Sequence, residues 1–336
     1  MEFYNSTNEI PEEMLKGIDL TYPQLTYLPE TGILYDNTYN EKTVPIISGG
    51  GSGHEPAHVG YVGSGMLAAA VTGPLFIPPK SKNILKAIRQ VNSGKGVFVI
   101  IKNFEADLKE FNEAIKEART EGIDVRYIVS HDDISVNAYN FHKRHRGVAG
   151  TILLHKILGA FAKEGGSIDE IEQLALSLSP EIYTLGVALA PVHFPHQKTS
   201  FVLAEDEVSF GIGIHGEPGY RVEKFEGSER IAIELVNKLK AEINWQKKAN
   251  KNYILLVNGL GSTTLMELYS FQYDVMRLLE LEGLSVKFCK VGNLMTSCDM
   301  SGISLTLCSV KDPKWLDYLN VPTGAFAWLE HHHHHH

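Results

Sequence analysis

Short apolar, β-branched runs alternate along this chain with longer stretches in which apolar residues recur every three or four positions. The first kind reads as strands and the second as helices packed by one face. Val44-Pro45-Ile46-Ile47 predicts a strand running into the glycine-rich loop Ser48-Gly49-Gly50-Gly51-Ser52-Gly53. Ser81 reads as the N-cap of a helix carrying Ile84, Leu85, Ile88 and Val91. The unbroken run Val97-Phe98-Val99-Ile100-Ile101 predicts a strand covered on both faces. A helix with Leu108, Phe111, Ile115 and Ala118, and a strand over 125–129, follow. Helices are predicted over 147–164 and 168–178, the second opened by the capping box Ser167-x-x-Glu170. Beyond residue 185 the pattern restarts. Val208-Ser209-Phe210 enters a second glycine stretch, and Ile231, Leu235, Leu239 and Ile243 mark a helix. Tyr253–Val257 reads as a buried strand, followed by a helix with Leu268, Val275, Leu278 and Leu279. The alternating runs 285–291 and 303–307 predict strands of a mixed or partly exposed sheet.

This order predicts an α/β fold of two α/β domains, each a mixed or mostly parallel sheet flanked by helices. Residues 1–184 form the first, 185–328 the second, and 329–336 a cloning scar and His tag. Composition agrees: 43% hydrophobic and 21% charged residues suit a globular protein. No apolar run is long enough to span a membrane, and the N-terminus lacks a secretory layout, so a cytoplasmic location is expected. Cys289, Cys298 and Cys308 match no zinc or redox spacing and are read as reduced, mostly buried thiols. A net charge of −9 argues against direct nucleic-acid binding. The one basic cluster, His142-Lys143-Arg144-His145-Arg146, reads as a solvated helix end or turn, with a partner contact as the alternative.

Several motif matches fail on their surroundings. His54-Glu55-Pro56-Ala57-His58 has the H-E-x-x-H spacing of a zinc protease, but that site needs both histidines on one helix face. Pro56 inside the motif and three glycines before it oppose such a helix; Pro56 fits a helix's first turn instead. Gly211-x-Gly213-x-x-Gly216 has the dinucleotide spacing, but Pro218-Gly219 would break the required helix. No Gly-Lys-Ser/Thr ends the loop at 49–54, so it is not a P-loop. His193-x-x-His196, flanked by prolines, reads as a structural or surface pair rather than a metal site.

The residues left support chemistry on a small polar ligand. Two histidines, His54 and His215, stand in stretches almost without side-chain bulk, where a ligand can approach the backbone. Lys102, Asn103 and Asp107 follow a strand, at the edge where α/β proteins bind ligands. The expectation is a pocket gathering His54, Lys102, Asp107 and His215. A neutral imidazole is a nucleophile toward a carbonyl, and a second His or Asp can take a proton from a hydroxyl. On spacing alone, an equal reading is that both histidines merely cap turns.

Longer blocks are more specific. Ile47-Ser48-Gly49-Gly50-Gly51-Ser52-Gly53-His54-Glu55-Pro56-Ala57-His58 is followed, in order, by Arg146-Gly147-Val148-Ala149-Gly150-Thr151 and the stretch from Gly211 to Gly219. Val257-Asn258-Gly259-Leu260-Gly261 and Val291-Gly292-Asn293-Leu294-Met295-Thr296-Ser297 complete the set. Over roughly 10–328 the chain resembles the dihydroxyacetone kinase substrate-binding subunit family. The resemblance implies two α/β domains, a homodimer, and a ketone held as a covalent hemiaminal on an imidazole. By motif match that imidazole is His215, and His54 is the proton acceptor. Gly53, His54, Lys102, Asp107 and His215 match substrate-binding positions, with Asp107 counted among the catalytic groups. No cofactor or metal is implied; dihydroxyacetone is the covalent ligand. Glycerol, with no carbonyl, is refused by chemistry rather than fit.

The sequence departs from the family pattern at the rim. The usual Tyr-Thr-Gly-Asp is Phe104-Glu105-Ala106-Asp107, Phe-x-Ser-Pro is Phe76-Ile77-Pro78-Pro79, and a run of three aspartates is His131-Asp132-Asp133. Glu105 and Ala106 add a charge and a Cβ that oppose a phosphoryl donor. The family also contains paralogues that bind dihydroxyacetone without phosphorylating it. They act as co-activators through a DNA-binding regulator of the tetracycline-repressor class. Retained ligand residues with an altered rim predict such a sensor. The alternative is a kinase subunit working with a separate nucleotide-bearing subunit. The chain carries no nucleotide domain after Trp328, which opposes the single-chain ATP-dependent form.

Overall fold

The computed structural model describes residues 1–135, 145–193, 201–245 and 250–328. They form two compact units, each built on a six-stranded mixed sheet. The first unit comprises Met1–Ser130, Ile152–Ser177 and the chain from Asp317 onward; the second comprises His131–Thr151 and Leu178–Leu316. Both units are discontinuous, which a division at one chain position does not describe. Residues 131–151 belong with the second unit. Residues 317–328 return to the first, where Ala327 donates to the Gly60 carbonyl (2.9 Å) and Phe326 stacks on Tyr22 (ring centroids 4.3 Å apart).

The first unit opens with α1 (Ile10–Thr21), β1 (Leu25–Leu28) and β2 (Ile33–Asp36), followed by β3 (Ile46–Ser52) and β4 (Ala69–Leu75). Then come α2 (Ser81–Val91), β5 (Val97–Lys102), α3 (Glu105–Thr120), β6 (Val125–Ser130), α4 (Thr151–Lys163) and α5 (Ile168–Leu178). The strand order is β1-β2-β4-β3-β5-β6, with β4, β3, β5 and β6 mutually parallel and β1 and β2 antiparallel. Val97 to Ile101 are fully buried, as their unbroken apolar run requires. Ile84, Ala87, Ile88 and Val91 of α2 and Phe111, Ala114, Ile115 and Ala118 of α3 enter one core with Ile47, Val99 and Ile101. Each large apolar side chain there contributes roughly 2 kcal/mol.

Three local expectations change. The glycines at 49–51 form part of β3, not a loop: a Cβ on Gly49 would meet the Val71 carbonyl oxygen at 2.2 Å. α2 is not capped by Ser81. The Ser81 N–H donates to the Glu110 carboxylate of α3 (2.8 Å), so the cap comes from a neighbouring helix. α4 begins at Thr151 rather than 147, because the Asp132 carboxylate accepts the Val148 and Gly150 N–H groups, both at 2.9 Å. The Ser167–Glu170 capping box forms as expected.

The second unit contains β7 (Ile182–Ala190), β8 (Glu207–Phe210), β9 (Arg221–Lys224), α6 (Ser228–Trp245), β10 (Asn252–Gly259), α7 (Leu265–Leu281), β11 (Ser285–Gly292) and β12 (Ser301–Ser309). A short α8 (Lys314–Leu319) follows. The order is β11-β10-β12-β7-β8-β9; only β10 and β11 pair in parallel. The alternating runs have two different causes. β11 is an edge strand and half-exposed. β12 is central, and its polar members are buried in hydrogen bonds: Thr306 with Thr184 across the strand pair (2.7 Å), and Ser304 with the Asn258 amide (3.1 Å).

Candidate ligand-binding site

β3 delivers the first cluster. A Cβ on Gly50 would lie 2.9 Å from the Lys102 Nζ and 3.5 Å from the Asp107 Oδ2, so the bare glycine is what admits both groups. Lys102 ends β5, and Asp107 stands in the first turn of α3, a strand and helix joined by only two residues. Both are buried. Burial pushes the Asp107 carboxyl up to about 6, against the pull of the Lys102 ammonium.

Past β3, residues 53–58 turn rather than enter an α-helix, and a one-turn 3-10 helix follows at Val59–Tyr61. The helical start expected at Pro56 is therefore absent, and the H-E-x-x-H spacing does not lie on one helix face. His54 is fully buried and stacked on Phe76 (centroids 5.3 Å apart, planes 25° apart). The Glu55 carboxylate accepts the Gly53 N–H (3.0 and 3.1 Å), which closes the turn that presents His54. Burial raises the Glu55 pKa, while the Gly53 N–H and Lys102 oppose the rise. Behind them, the His58 Nδ1 meets the His155 Nε2 of α4 at 2.8 Å. Burial and the Lys102 charge hold His58 well below the usual imidazole range and His155 down to about 3, so both rings stay neutral. Gly53, His54, Lys102 and Asp107 thus all belong to the first unit, with Lys102 and Asp107 both beside Gly50. Among the described residues no group of His, Cys, Asp and Glu is arranged to hold a metal ion.

His215 lies in the second unit, half-buried, in the segment after β8. Its N–H donates to the Glu217 carboxylate (2.5 Å), and the preceding Ile214 carbonyl accepts from the Ser297 hydroxyl (2.8 Å). Asn258, closing β10, binds the Leu294 and Met295 N–H groups (2.8 and 3.0 Å) and the Met295 carbonyl (2.7 Å). Motif blocks far apart in sequence are therefore joined here side chain to backbone. A family model described as the Dak1 domain matches residues 16–327.

The chain belongs to the Dak1 domain family.

It is 44% identical over 326 residues to the dihydroxyacetone-binding subunit DhaK of a PTS-dependent dihydroxyacetone kinase from Lactococcus lactis, covering 96% of this chain and 98% of that one. The corresponding subunit of the Escherichia coli PEP-dependent kinase is 33% identical over 338 residues, covering 92% and 93%. A solved structure described as "Regulation of the dha operon of Lactococcus lactis" is 96% identical, with a TM-score of 0.91, covering 99% of this chain and all of that one. The dihydroxyacetone kinase of C. freundii superposes with a TM-score of 0.90 at 31% identity, covering 98% of this chain and 60% of that one.

Some residues of this Dak1 domain escaped sequence reasoning. Arg146 is no solvated helix end: its guanidinium binds Asp133, Ser135, Glu217 and the Gly211 carbonyl. His142 to Arg144 of the same basic run lie outside the described residues, as do His196 and the tag. His193, the other member of its motif, pairs with Asp299 (3.5 Å). His155 gave no signal, being a histidine inside an apolar helix. Glu55 and Glu217 shared one: each stands before a proline and closes a turn on a backbone N–H just before it. No described helix is long and apolar enough to cross a membrane.

Proposed function

We propose that this protein captures dihydroxyacetone covalently and acts as a sensor. In this reading a bare ring nitrogen of His215 adds to the carbonyl carbon. The carbonyl oxygen takes a proton and becomes a hydroxyl, and the ring sheds the proton of its other nitrogen, leaving a neutral hemiaminal. His54 accepts a proton from a substrate hydroxyl, and Asp107, Lys102 and the Gly53 backbone hold the remaining oxygens. The captured state then alters engagement with a DNA-binding regulator of the tetracycline-repressor class, the protein acting as a homodimeric co-activator in the cytoplasm. The relatives described as dihydroxyacetone-binding subunits support the ligand, and the near-identical structure described by dha operon regulation supports a regulatory role.

One observation carries the loss of phosphoryl transfer. α3 buries Asp107 beside Lys102, while Glu105, two residues earlier, stands exposed in the same first turn. A helix N-terminus favours anions. A fixed carboxylate there uses that attraction and repels an incoming phosphate, and the exposed Ala106 adds bulk. The second reading is a kinase subunit working with a separate nucleotide-bearing subunit, as the named functions of the Lactococcus, Listeria and Escherichia relatives favour.

The deciding experiment combines the chain with a competent nucleotide-bearing subunit, its phosphoryl source and dihydroxyacetone. No dihydroxyacetone phosphate is expected; steady production rules out the sensor reading in favour of the kinase. Intact-mass measurement should show the ketone's whole mass added, with no water lost, and His215→Ala should abolish it. An adduct that survives that substitution moves the nucleophile elsewhere. Glu105→Thr with Ala106→Gly should restore some phosphoryl transfer. If they restore none, charge and bulk at this turn are not what prevents it.

A further inference from the structure

We infer that Arg146 and Glu217 are positioning residues that hold the His215 backbone ready for attack; this rests on the reading of His215 as the attachment point. The observations all lie within the second unit. The Glu217 Oε1 accepts the His215 N–H (2.5 Å), and its Oε2 accepts from the Arg146 Nη1 (3.2 Å). The Arg146 Nη2 donates to the Gly211 carbonyl (3.1 Å) and to the Ser135 hydroxyl (2.8 Å). Its Nε donates to the buried Asp133 (2.7 Å), whose other oxygen accepts the Ser135 N–H (2.9 Å). One guanidinium therefore ties the His215 segment at two points, directly at Gly211 and through Glu217 at His215. It is itself fixed to a buried aspartate.

The glycines of the segment fit this arrangement. A Cβ on Gly213 would lie 2.3 Å from the Glu217 Oε2 and 2.7 Å from the Arg146 Nη1. The bare backbone at 213 is thus the space that the ion pair occupies. Only a planar fork of donors can serve Asp133, Ser135, Glu217 and Gly211 together; a lysine ammonium lacks that geometry. Addition to a carbonyl demands an aligned approach, and a backbone held before the ligand arrives supplies it without further ordering. Arg146 and Glu217 act through the backbone and need not touch the ketone.

The test uses the full chain, with Arg146→Lys, Glu217→Gln and the double variant. Glu217→Gln keeps an oxygen for the His215 N–H and removes the charge that Arg146 binds. The readouts are adduct formation with dihydroxyacetone across concentration, by intact mass, and the His215 ring resonances without ligand, assigned by their loss in His215→Ala. Each single variant should weaken capture about 10- to 100-fold, and the double variant no more than the worse single. The ligand-free His215 resonances should shift in each. Capture equal to the unsubstituted protein in a folded single variant, or resonances that do not move, overturns the inference. If Arg146→Lys fails to fold, Glu217→Gln decides by the same two readouts. If the unsubstituted protein forms no adduct, the capture reading falls, while the resonance shifts still report separately on the tether.

Discussion

Asp107→Asn should make the protein more stable and less able to hold its ligand. The carboxyl is buried beside Lys102, and its pKa stands near 6 against 3.8 for the free group. That difference corresponds to ~3 kcal/mol. The folded chain holds the Asp107 proton more tightly than the unfolded chain does. This contribution is therefore fully present below pH 3.8 and is lost as pH rises through 6, above which the ionised group costs its full amount. The attraction of Lys102 is already included and does not outweigh burial. An asparagine amide keeps the shape of the protonated acid and carries no charge at any pH. Urea unfolding followed at pH 8 should show Asp107→Asn more stable by up to about 3 kcal/mol, with the gap closing toward pH 4. Ligand capture should fall in the same variant, because the amide is a poorer acceptor for a hydroxyl. A variant no more stable at pH 8, or a gap that ignores pH, would refute this reasoning and show the Lys102 pairing to dominate.

Gly50→Ala places a methyl where the Lys102 Nζ and Cε lie, at 2.9 and 3.1 Å; dihydroxyacetone capture by intact mass should fall at least several-fold while the chain stays folded. His155→Phe removes the one hydrogen-bond partner that the His58 ring has among the described residues. The unpaired ring should cost about 1–3 kcal/mol in urea unfolding; no loss would mean that the two imidazoles gain nothing from each other. Thr264→Ala dissolves the capping box in which Thr264 and Glu267 satisfy each other's N–H groups at the start of α7. It should cost ~1 kcal/mol, with ligand capture unchanged.

Much of the scaffold was legible where side chains carry a pattern. The runs 97–101 and 253–257 announced buried strands, and Ser167-x-x-Glu170 announced the start of α5. β3 and β4 were harder for one reason. Their residues are small because backbones approach each other closely, as Gly49 approaches Val71, and small residues write no periodicity. The polar positions of β12 imitated an exposed face, since alternation records polarity and not solvent. At the candidate site, the strand end at Lys102 and the helix turn at Asp107 were marked by their elements. Arg146 was misread because its partners Asp133 and Glu217 lie 13 and 71 residues away, and a local charge run gives no hint of them. His155 was silent for the same reason: its partner, 97 residues away, belongs to the glycine-rich block.

The chain passes between its two units after Ser130, Thr151, Ser177 and Leu316. A ribosome therefore releases most of the second unit before the first owns its final residues. Tyr318, whose carbonyl accepts from Lys156, and Trp328, over whose ring the same ammonium lies at 5.9 Å, are made after β12 of the second unit. The buried lysine of α4 therefore meets these two groups only after the strands of the second unit have been made. Vectorial synthesis thus completes the unit that carries His54, Lys102 and Asp107 last, and neither unit can be expressed alone by cutting the gene at a single place.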